Sequence, residues 1–253
     1  MDTLTPQRIE GQGNLEADWA GSSWLSALPS TQAHTLLDGT RRLLVVSPHP
    51  DDEVLACGGL MQAALAQDVA VHVVSVTDGE ACYPEQPQWP PERLRDARRH
   101  ELAHAMRVLG LDATHVTPLA LPDGGVTTHE ADLAAHLSAQ LMPNDLVIAP
   151  WIKDAHPDHE ATGRAARTAA SARGARMLQY PVWAWHWLDP AAPLSPWPTA
   201  MRIPMGAPFL TRKREAMQAF ATQTGDVDGL DCPPILPAHV TARFHRPFEV
   251  LIG

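Results

Sequence analysis

The stretch Arg42-Leu43-Leu44-Val45-Val46-Ser47-Pro48-His49-Pro50-Asp51-Asp52-Glu53 joins a short apolar run to a cluster of imidazole and carboxylate side chains. A continuous apolar run of this length is typical of a strand that is buried on both faces of a parallel sheet. The acids that follow suit the positive end of a helix. The stretch therefore predicts a strand, a polar loop and a helix, in that order.

The same alternation continues along the chain. Strands are predicted at 42–47, 69–76, 114–121, 146–151, 177–187, 201–205 and 248–252, and helices at about 53–67, 92–109, 130–141, 157–172 and 208–222. Such alternation predicts an α/β fold of three layers, with a mostly parallel sheet and helices on both faces. Residues 1–40 are polar and irregular, and we expect them to form an N-terminal extension that packs on a domain of residues 41–253.

Composition and charge exclude several classes of protein. The chain has 29 acidic against 19 basic residues and a net charge of -10, which argues against binding nucleic acid or an anionic membrane. No apolar stretch reaches the ~18 residues of a membrane span. The three cysteines are far apart and form no CxxC pair, so neither a disulfide framework nor a thiolate zinc site is expected. We read no signal peptide and predict a cytoplasmic protein.

Polar side chains follow two of the predicted strands, at the edge where open α/β sheets bind ligands. His49 and Asp52 follow the first strand, and His156 and His159 follow the fourth with the same spacing. Two imidazoles and one carboxylate from these loops would form a ligand set for zinc or another divalent metal.

Each cluster alone has a simpler interpretation. Acids at 51–53 could merely cap a helix, and a lone pair of histidines could be solvated or packed in a core. The occurrence of both clusters after two strands of one presumed sheet favours metal binding. The first loop lacks the G-x-G-x-x-G pattern, so NAD is not expected there.

The two motifs together resemble the LmbE-like (PIG-L) family of metal-dependent N-deacetylases. The resemblance rests on the stretch 48–53, followed about 100 residues later by His156-Pro157-Asp158-His159. Weaker matches lie at 77–80, 98–102, 121–124 and 213–216, and the similarity runs from about residue 42 to 252. The family implies a Rossmann-like fold and a usually zinc-dependent hydrolysis of an acetamide on N-acetylglucosamine-type sugars.

The resemblance also implies roles for individual residues. His49, Asp52 and His159 would bind the metal, which is zinc or, as an alternative, Fe²⁺, Co²⁺ or Mn²⁺. Asp51 would be the general base, and His156 would stabilise the oxyanion or protonate the leaving amine.

Asp158 would orient His156. We expect this acid, or another acid of the same loop, to hold His156 as an imidazolium and to raise the pKa of His156 above its ordinary value near 6.5.

Substrate contacts are expected from a second group of residues. The resemblance implies that Arg98 and Asp123 contact the sugar. His186 would reach the pocket from the predicted strand at 177–187. Three tryptophans alternate along that strand and would share one face, which is either a core or subunit-contact face or a sugar-stacking platform: Trp183, Trp185 and Trp187.

The sequence therefore predicts a zinc-dependent deacetylase that acts on a small acetylated amino sugar and can form a homo-oligomer. Two alternatives remain open, namely a catalytically silent carbohydrate-binding protein of the same fold and another single-metal amidohydrolase. A catalytically silent protein of this fold should have lost Asp51, a metal ligand or His156, and all of these residues are present.

Overall fold

The computed structural model describes residues 9, 11–191, 197 and 199–253, so residues 1–8 and 10 of the predicted extension lie outside it. The strands are β1 (Arg42–Ser47), β2 (Ala70–Thr77), β3 (Val116–Leu121), β4 (Asp145–Pro150), β5 (Arg176–Tyr180), β6 (Ala200–Pro204) and β7 (Phe248–Ile252). The α-helices are α1 (Glu16–Ala20), α2 (Ser23–Ala27), α3 (Ala33–Leu36), α4 (Asp52–Leu65), α5 (Pro91–Leu109), α6 (Glu130–Gln140), α7 (Pro157–Arg173), α8 (Ala184–Trp187), α9 (Ala207–Met217), α10 (Ala221–Thr224) and α11 (Ala238–Thr241). Single 3₁₀ turns span Ala113–His115, Val126–His129 and Ala242–Phe244.

The strands form one mixed sheet in the order β3-β2-β1-β4-β5-β7-β6. The first five strands of the chain run parallel to one another, and β7 runs antiparallel to both β5 and β6. The prediction of a mostly parallel sheet is confirmed. The strand order reverses between β1 and β4, and ligands bind at such a switch point in open α/β sheets.

Successive side chains of the central strands point to opposite faces of the sheet and build two separate cores. On β1, Leu43 and Val45 pack with α4, α5 and α9, whereas Leu44 and Val46 pack with α6 and α7. Both faces of the sheet are therefore covered, and the predicted three-layer arrangement is confirmed. Among the described residues, no helix combines the length and apolarity needed to cross a bilayer.

The predicted fifth strand is wrong in its second half. β5 ends at Tyr180, and residues 184–187 form the short helix α8. The cause is a tertiary contact, because the buried carboxylate of Asp154 accepts hydrogen bonds from the backbone N–H groups of residues 182, 183 and 184. These bonds turn the chain away from the sheet, so the three alternating tryptophans do not share the face of a strand.

Of these tryptophans, Trp185 is buried in the core, and Trp187 is partly buried against it. Trp185 lies edge-on to Trp19 of α1, with ring centroids 4.8 Å apart. The indole N–H of Trp19 donates to the backbone oxygen of Trp185 at 2.8 Å. Trp187 stacks on Trp151. The described part of residues 1–40 thus contributes to the same core as the sheet.

A buried ion pair joins α9 to β7. Lys213 Nζ lies 2.8 Å from Glu249 Oε1, and both side chains are almost fully excluded from solvent. Glu249 also accepts the backbone N–H groups of Gly59 and Leu60, in the middle of α4. The pair therefore fixes the helix that begins at the predicted metal-binding loop.

Lys213→Met is expected to lower the free energy of unfolding by about 3–5 kcal/mol, because it leaves the Glu249 carboxylate buried without a cation. Urea unfolding of the purified protein measures this loss. Arg212→Met removes an exposed charge from the neighbouring position of α9 and should change stability by about 0.5 kcal/mol or less. A loss below about 1 kcal/mol for Lys213→Met would contradict the importance of the pair.

Candidate metal centre and active site

The switch point brings the two histidine motifs together. The loop after β1 carries His49 and Asp52, and the loop after the neighbouring strand β4 carries His156 and His159. A cavity of about 690 Å³ opens at this edge of the sheet. It is lined by eight of the nine site residues expected from sequence: His49, Asp51, Asp52, Arg98, Asp123, His156, His159 and His186. The ninth, Asp158, is fully buried behind the wall.

Three atoms in this cavity form a nearly equilateral triangle. His49 Nδ1 lies 3.4 Å from Asp52 Oδ2, His159 Nε2 lies 3.3 Å from the same oxygen, and the two nitrogens are 3.3 Å apart. A tetrahedral ion with bonds of about 2.0–2.1 Å places its ligand atoms about 3.3–3.4 Å apart. The spacing and the donor types of these three residues therefore fit a divalent ion with a free coordination position.

Carboxylates orient both imidazoles of this triangle. His159 Nδ1 lies 2.9 Å from Asp154 Oδ2, and His49 Nε2 lies 3.1 Å from Asp123 Oδ1. Such contacts fix which ring nitrogen is left for the metal, here Nε2 of His159 and Nδ1 of His49. Burial tends to raise the pKa of Asp52, but the charges of His159 and His49 outweigh burial and hold that pKa well below its ordinary value. Asp52 is thus a carboxylate ready to bind a cation.

Two other groups of possible ligand atoms lie within 4.8 Å of one another, namely His49 with His156 and His159, and His49 with Asp123 and Asp158. Their atoms have other partners. His156 Nδ1 accepts the backbone N–H of Asp158, and Asp158 accepts two backbone N–H groups itself. The triangle of His49, Asp52 and His159 is therefore the set that best fits a metal.

Asp154 is the site residue that sequence reasoning missed. It lies in the polar loop after β4, five positions before His159, so an acid near the second motif was the available signal. Its partners at residues 182–184 are far away in sequence, and only the folded chain shows that this carboxylate is fully buried.

Asp154→Asn is expected to weaken metal binding by about 10–100-fold, because the contact that orients His159 loses its charge. Competition with a chromophoric chelator measures the affinity of the variant. Asp145→Asn is the matched control, because Asp145 is a buried acid as well. It lies at the start of β4, at the end of the strand far from the metal-fitting triangle, and pairs with Arg42. Equal metal affinity in wild type and Asp154→Asn, with both folded, would contradict the orienting role.

Asp51 sits at the start of α4 with a strained backbone, at φ 148°. A backbone conformation of this kind costs roughly 1–3 kcal/mol of folding free energy and persists only where the surrounding structure enforces it. Burial raises the pKa of Asp51 to about 8, opposed by Arg98 and reinforced by Asp52 and Glu53. Asp51 therefore has a much greater affinity for a proton than an ordinary aspartate.

Arg98 lies directly behind Asp51. Its Nη2 donates to Asp51 Oδ2 at 2.9 Å and to the Pro50 oxygen at 2.8 Å, and Nη1 donates to the Gly79 oxygen at 3.1 Å. The guanidinium is only 2% exposed. These contacts make Arg98 a partner that positions the Asp51 carboxylate, and its contact with a sugar stays a prediction.

His156 caps the N-terminus of α7, where its Nδ1 accepts the backbone N–H of Asp158 at 3.3 Å. Burial, followed by the charges of His159 and His49, lowers the pKa of His156 to about 3. The expectation of a raised pKa is therefore wrong. The reason is that burial and the charges of His159 and His49 outweigh the opposing charge of Asp158, whose carboxylate accepts the backbone N–H groups of Gly124 and Val126.

The remaining predicted contacts, Asp123 and His186, both line the cavity. Asp123 faces His49 and also accepts the backbone N–H of Ala81 at 2.9 Å. His186 belongs to α8, is 5% exposed and lies 3.4 Å from the Arg243 guanidinium. Both reach the cavity, although His186 does so from a helix and not from the predicted strand.

Comparison with known proteins finds curated relatives that are named as deacetylases. The chain is 29% identical to the 1D-myo-inositol 2-acetamido-2-deoxy-alpha-D-glucopyranoside deacetylase of Kribbella flavida, in a match that covers 75% of this chain and 84% of that protein. Two further curated relatives match at 42% and 36% identity, but the chain spans only 24% and 25% of their length.

Solved structures share the fold at lower identity. The A40926 pseudoaglycone deacetylase Dbv21 superposes with a TM-score of 0.62 at 24% identity, covering 84% of this chain and 96% of that one. GalB, the 4-carboxy-2-hydroxymuconate hydratase of Pseudomonas putida KT2440, gives a TM-score of 0.52 at 20% identity, covering 81% and 83%. The architecture alone therefore does not decide between deacetylation and other reactions.

The family match is more specific, because it includes both motifs of the candidate metal centre. The family described as "PIG-L: GlcNAc-PI de-N-acetylase" matches residues 44–170, from β1 into α7. This segment covers half of the 253 residues and contains His49, Asp52 and His159, and the chain belongs to the PIG-L (LmbE-like) family.

Proposed function

We propose that this protein is a metal-dependent hydrolase that removes the acetyl group from an N-acetylated amino sugar of the N-acetylglucosamine type. The observation that carries the proposal is the convergence, in one cavity, of a metal-fitting triangle, a buried acid with a raised pKa and a neutral imidazole. The Kribbella flavida relative, named as a deacetylase of a 2-acetamido sugar, supports the same reaction.

We infer that His49, Asp52 and His159 hold a single divalent ion, with zinc as the favoured metal and Fe²⁺, Co²⁺ or Mn²⁺ as alternatives. Two imidazoles and one carboxylate are ligands that suit zinc, with a position left open for water or substrate. When bound, such an ion supplies Lewis acidity, which lowers the pKa of water and polarises an amide carbonyl. Because one structural neighbour is described as the zinc-inhibited form of a deacetylase, several metals should be tested, each at several metal-to-protein ratios.

Asp51 is proposed to accept the proton of the attacking water. Its neighbour Asp52 is a metal ligand, so the Asp51 carboxylate lies beside the reacting atoms, and Arg98 holds it in place at 2.9 Å. Burial raises the pKa of Asp51, which favours retention of the proton on this carboxyl group until the amine leaves. The same carboxyl group can then deliver that proton to the leaving nitrogen.

His156 is proposed to stabilise the negative charge that develops on the amide oxygen. Its Nδ1 already accepts a hydrogen bond from the backbone, so the neutral ring carries its proton on Nε2. A preorganised N–H donor of this kind stabilises the transition state more than the ground state. Protonation of the amine then falls to Asp51 and not to His156.

A deacetylation screen tests the proposal. Protein loaded with zinc, iron, cobalt or manganese is incubated with N-acetylglucosamine and its glycosides, and release of free amine is followed. Metal-dependent release that a chelator abolishes is the expected result. Binding of the sugars without amine release under any metal would instead support the catalytically silent alternative.

The cellular location, the oligomeric state and the division at residue 41 stay predictions. The three cysteines are free thiols in the structure, which suits a reducing compartment such as the cytoplasm.

A further inference from the structure

The cavity has two chemically different halves. Its inner half holds the metal-fitting triangle and Asp51. We call the outer half the part of the lining that comes from outside residues 44–170, namely residues 9, 11, 12, 182, 183, 186, 223, 233–237, 239 and 240. Apolar side chains dominate this outer wall: Ile9, Trp183, Pro234, Ile235, Leu236 and Val240. A free, fully hydroxylated sugar does not need such a surface next to its reacting group.

The outer half also offers no permanent positive charge. Among the lining residues that the structure describes, Arg98 is the one arginine, and no lysine lines the cavity. Its guanidinium is already committed to Asp51 and to two backbone oxygens. Asp123, which faces His49, adds negative charge to the cavity. A phosphate or carboxylate that reached the outer half would therefore meet apolar surface without an arginine or lysine partner.

The N-terminal part of this wall is held in place by several contacts. Arg243 donates to the backbone oxygens of Gln12 at 3.3 Å and Asn14 at 2.9 Å. Glu16 forms a bidentate pair with Arg246. Gly13 has a φ of +59°, and a Cβ atom there would lie 2.4 Å from the ring of His186. The segment therefore fits closely against the cavity and shapes it.

We propose that this outer half is a subsite for an uncharged, apolar group attached to the acetylated amino sugar. The substrate class would then be a glycoside with an apolar aglycone, and not a sugar phosphate or a sugar linked to an acid. This inference rests on the proposed function for the identity of the sugar. The subsite itself is a property of the wall and can be tested by binding alone.

Calorimetry on zinc-loaded protein at pH 8 provides the test, with three ligands that lack the acetyl group and cannot be turned over. Octyl glucosaminide is expected to bind at least about tenfold more tightly than glucosamine, because each buried methylene strengthens binding severalfold. Glucosamine 1-phosphate is expected to bind no more tightly than glucosamine. Equal or tighter binding of the phosphate than of the octyl ligand would overturn the inference.

Variants locate the subsite. Ile235→Lys is expected to weaken the binding of octyl glucosaminide by about tenfold and to strengthen the binding of glucosamine 1-phosphate. Misfolding cannot produce such a gain in affinity. Met142→Lys, at a position that is 62% exposed and outside the cavity, is the matched control and should change neither. If Ile235→Lys leaves both affinities unchanged, the octyl group does not lie on this wall and the inference fails.

Turnover of the acetylated forms of the same ligands separates the two proposals. Similar rates for free N-acetylglucosamine, its octyl glycoside and its 1-phosphate would contradict the subsite while supporting the deacetylase. Absence of amine release from all three would contradict the deacetylase, and the binding measurements would still decide the subsite.

Discussion

Asp51→Asn is expected to lower kcat by about 10²–10⁴-fold, the usual cost of losing a general base, while the protein keeps its metal. Asparagine preserves the size of the side chain and can still accept a hydrogen bond from Arg98, which contacts Asp51 at 2.9 Å. It cannot accept the proton of water. Amine release under saturating substrate, with elemental analysis of the same sample, measures both properties.

Asp52→Asn is the matched variant, because the neighbouring carboxylate is replaced by the same amide. This variant should lose the metal as well as the activity, since Asp52 Oδ2 lies 3.3–3.4 Å from both imidazole nitrogens of the triangle. If Asp51→Asn lost its metal and Asp52→Asn kept it, the roles of the two carboxylates would be reversed.

His156→Ala is expected to reduce kcat by about 10²–10³-fold without loss of metal, as for the removal of one oxyanion donor. The ring of His156 is not part of the triangle, so metal content should equal that of the wild type. His136→Ala, which removes an exposed imidazole on α6, serves as the control and should leave the rate unchanged.

The pH–rate profile distinguishes the two roles that the resemblance allows for His156. The pKa of this imidazole is lowered to about 3, so it is neutral throughout the range of activity. The rate should rise with pH as Asp51 loses its proton. Burial raises the pKa of Asp51 from 3.8 to about 8, and a bound cation would lower it again, so the midpoint of the rise is expected between these two values. His156→Ala should show the same shape at a lower rate. Loss of a descending limb in the variant alone would show that His156 acts as an imidazolium.

Much of the fold follows from local sequence because a parallel strand buried on both faces requires a continuous apolar run. The segments at 42–47 and 146–151 are such runs, and β1 and β4 lie within one residue of the expected bounds. The polar residues that follow these two strands are not needed to pack the sheet, which is why His49, Asp52, His156 and His159 could be selected from the sequence as candidate ligands; the choice among them came from the family resemblance.

Features that depend on contacts between distant segments could not be predicted. The end of β5 is determined by the Asp154 carboxylate, about thirty residues away, and the alternating tryptophans therefore suggested a strand that continues too far. The charge state of His156 depends on its burial and on His49 and His159, and the sequence shows only its neighbour Asp158. Similarly, nothing in the sequence around Ile9, Gly11 and Gln12 indicates that these three residues line the cavity.

Metal content tests the central claim most directly. The purified protein is stripped with a chelator, dialysed against zinc and then against metal-free buffer, and analysed for bound ions. We expect one ion per chain in the wild type and in Asp51→Asn, and none in Asp52→Asn or His159→Ala. A folded wild-type protein that retains no zinc, iron, cobalt or manganese, or a His159→Ala variant that retains a full equivalent, would contradict the account.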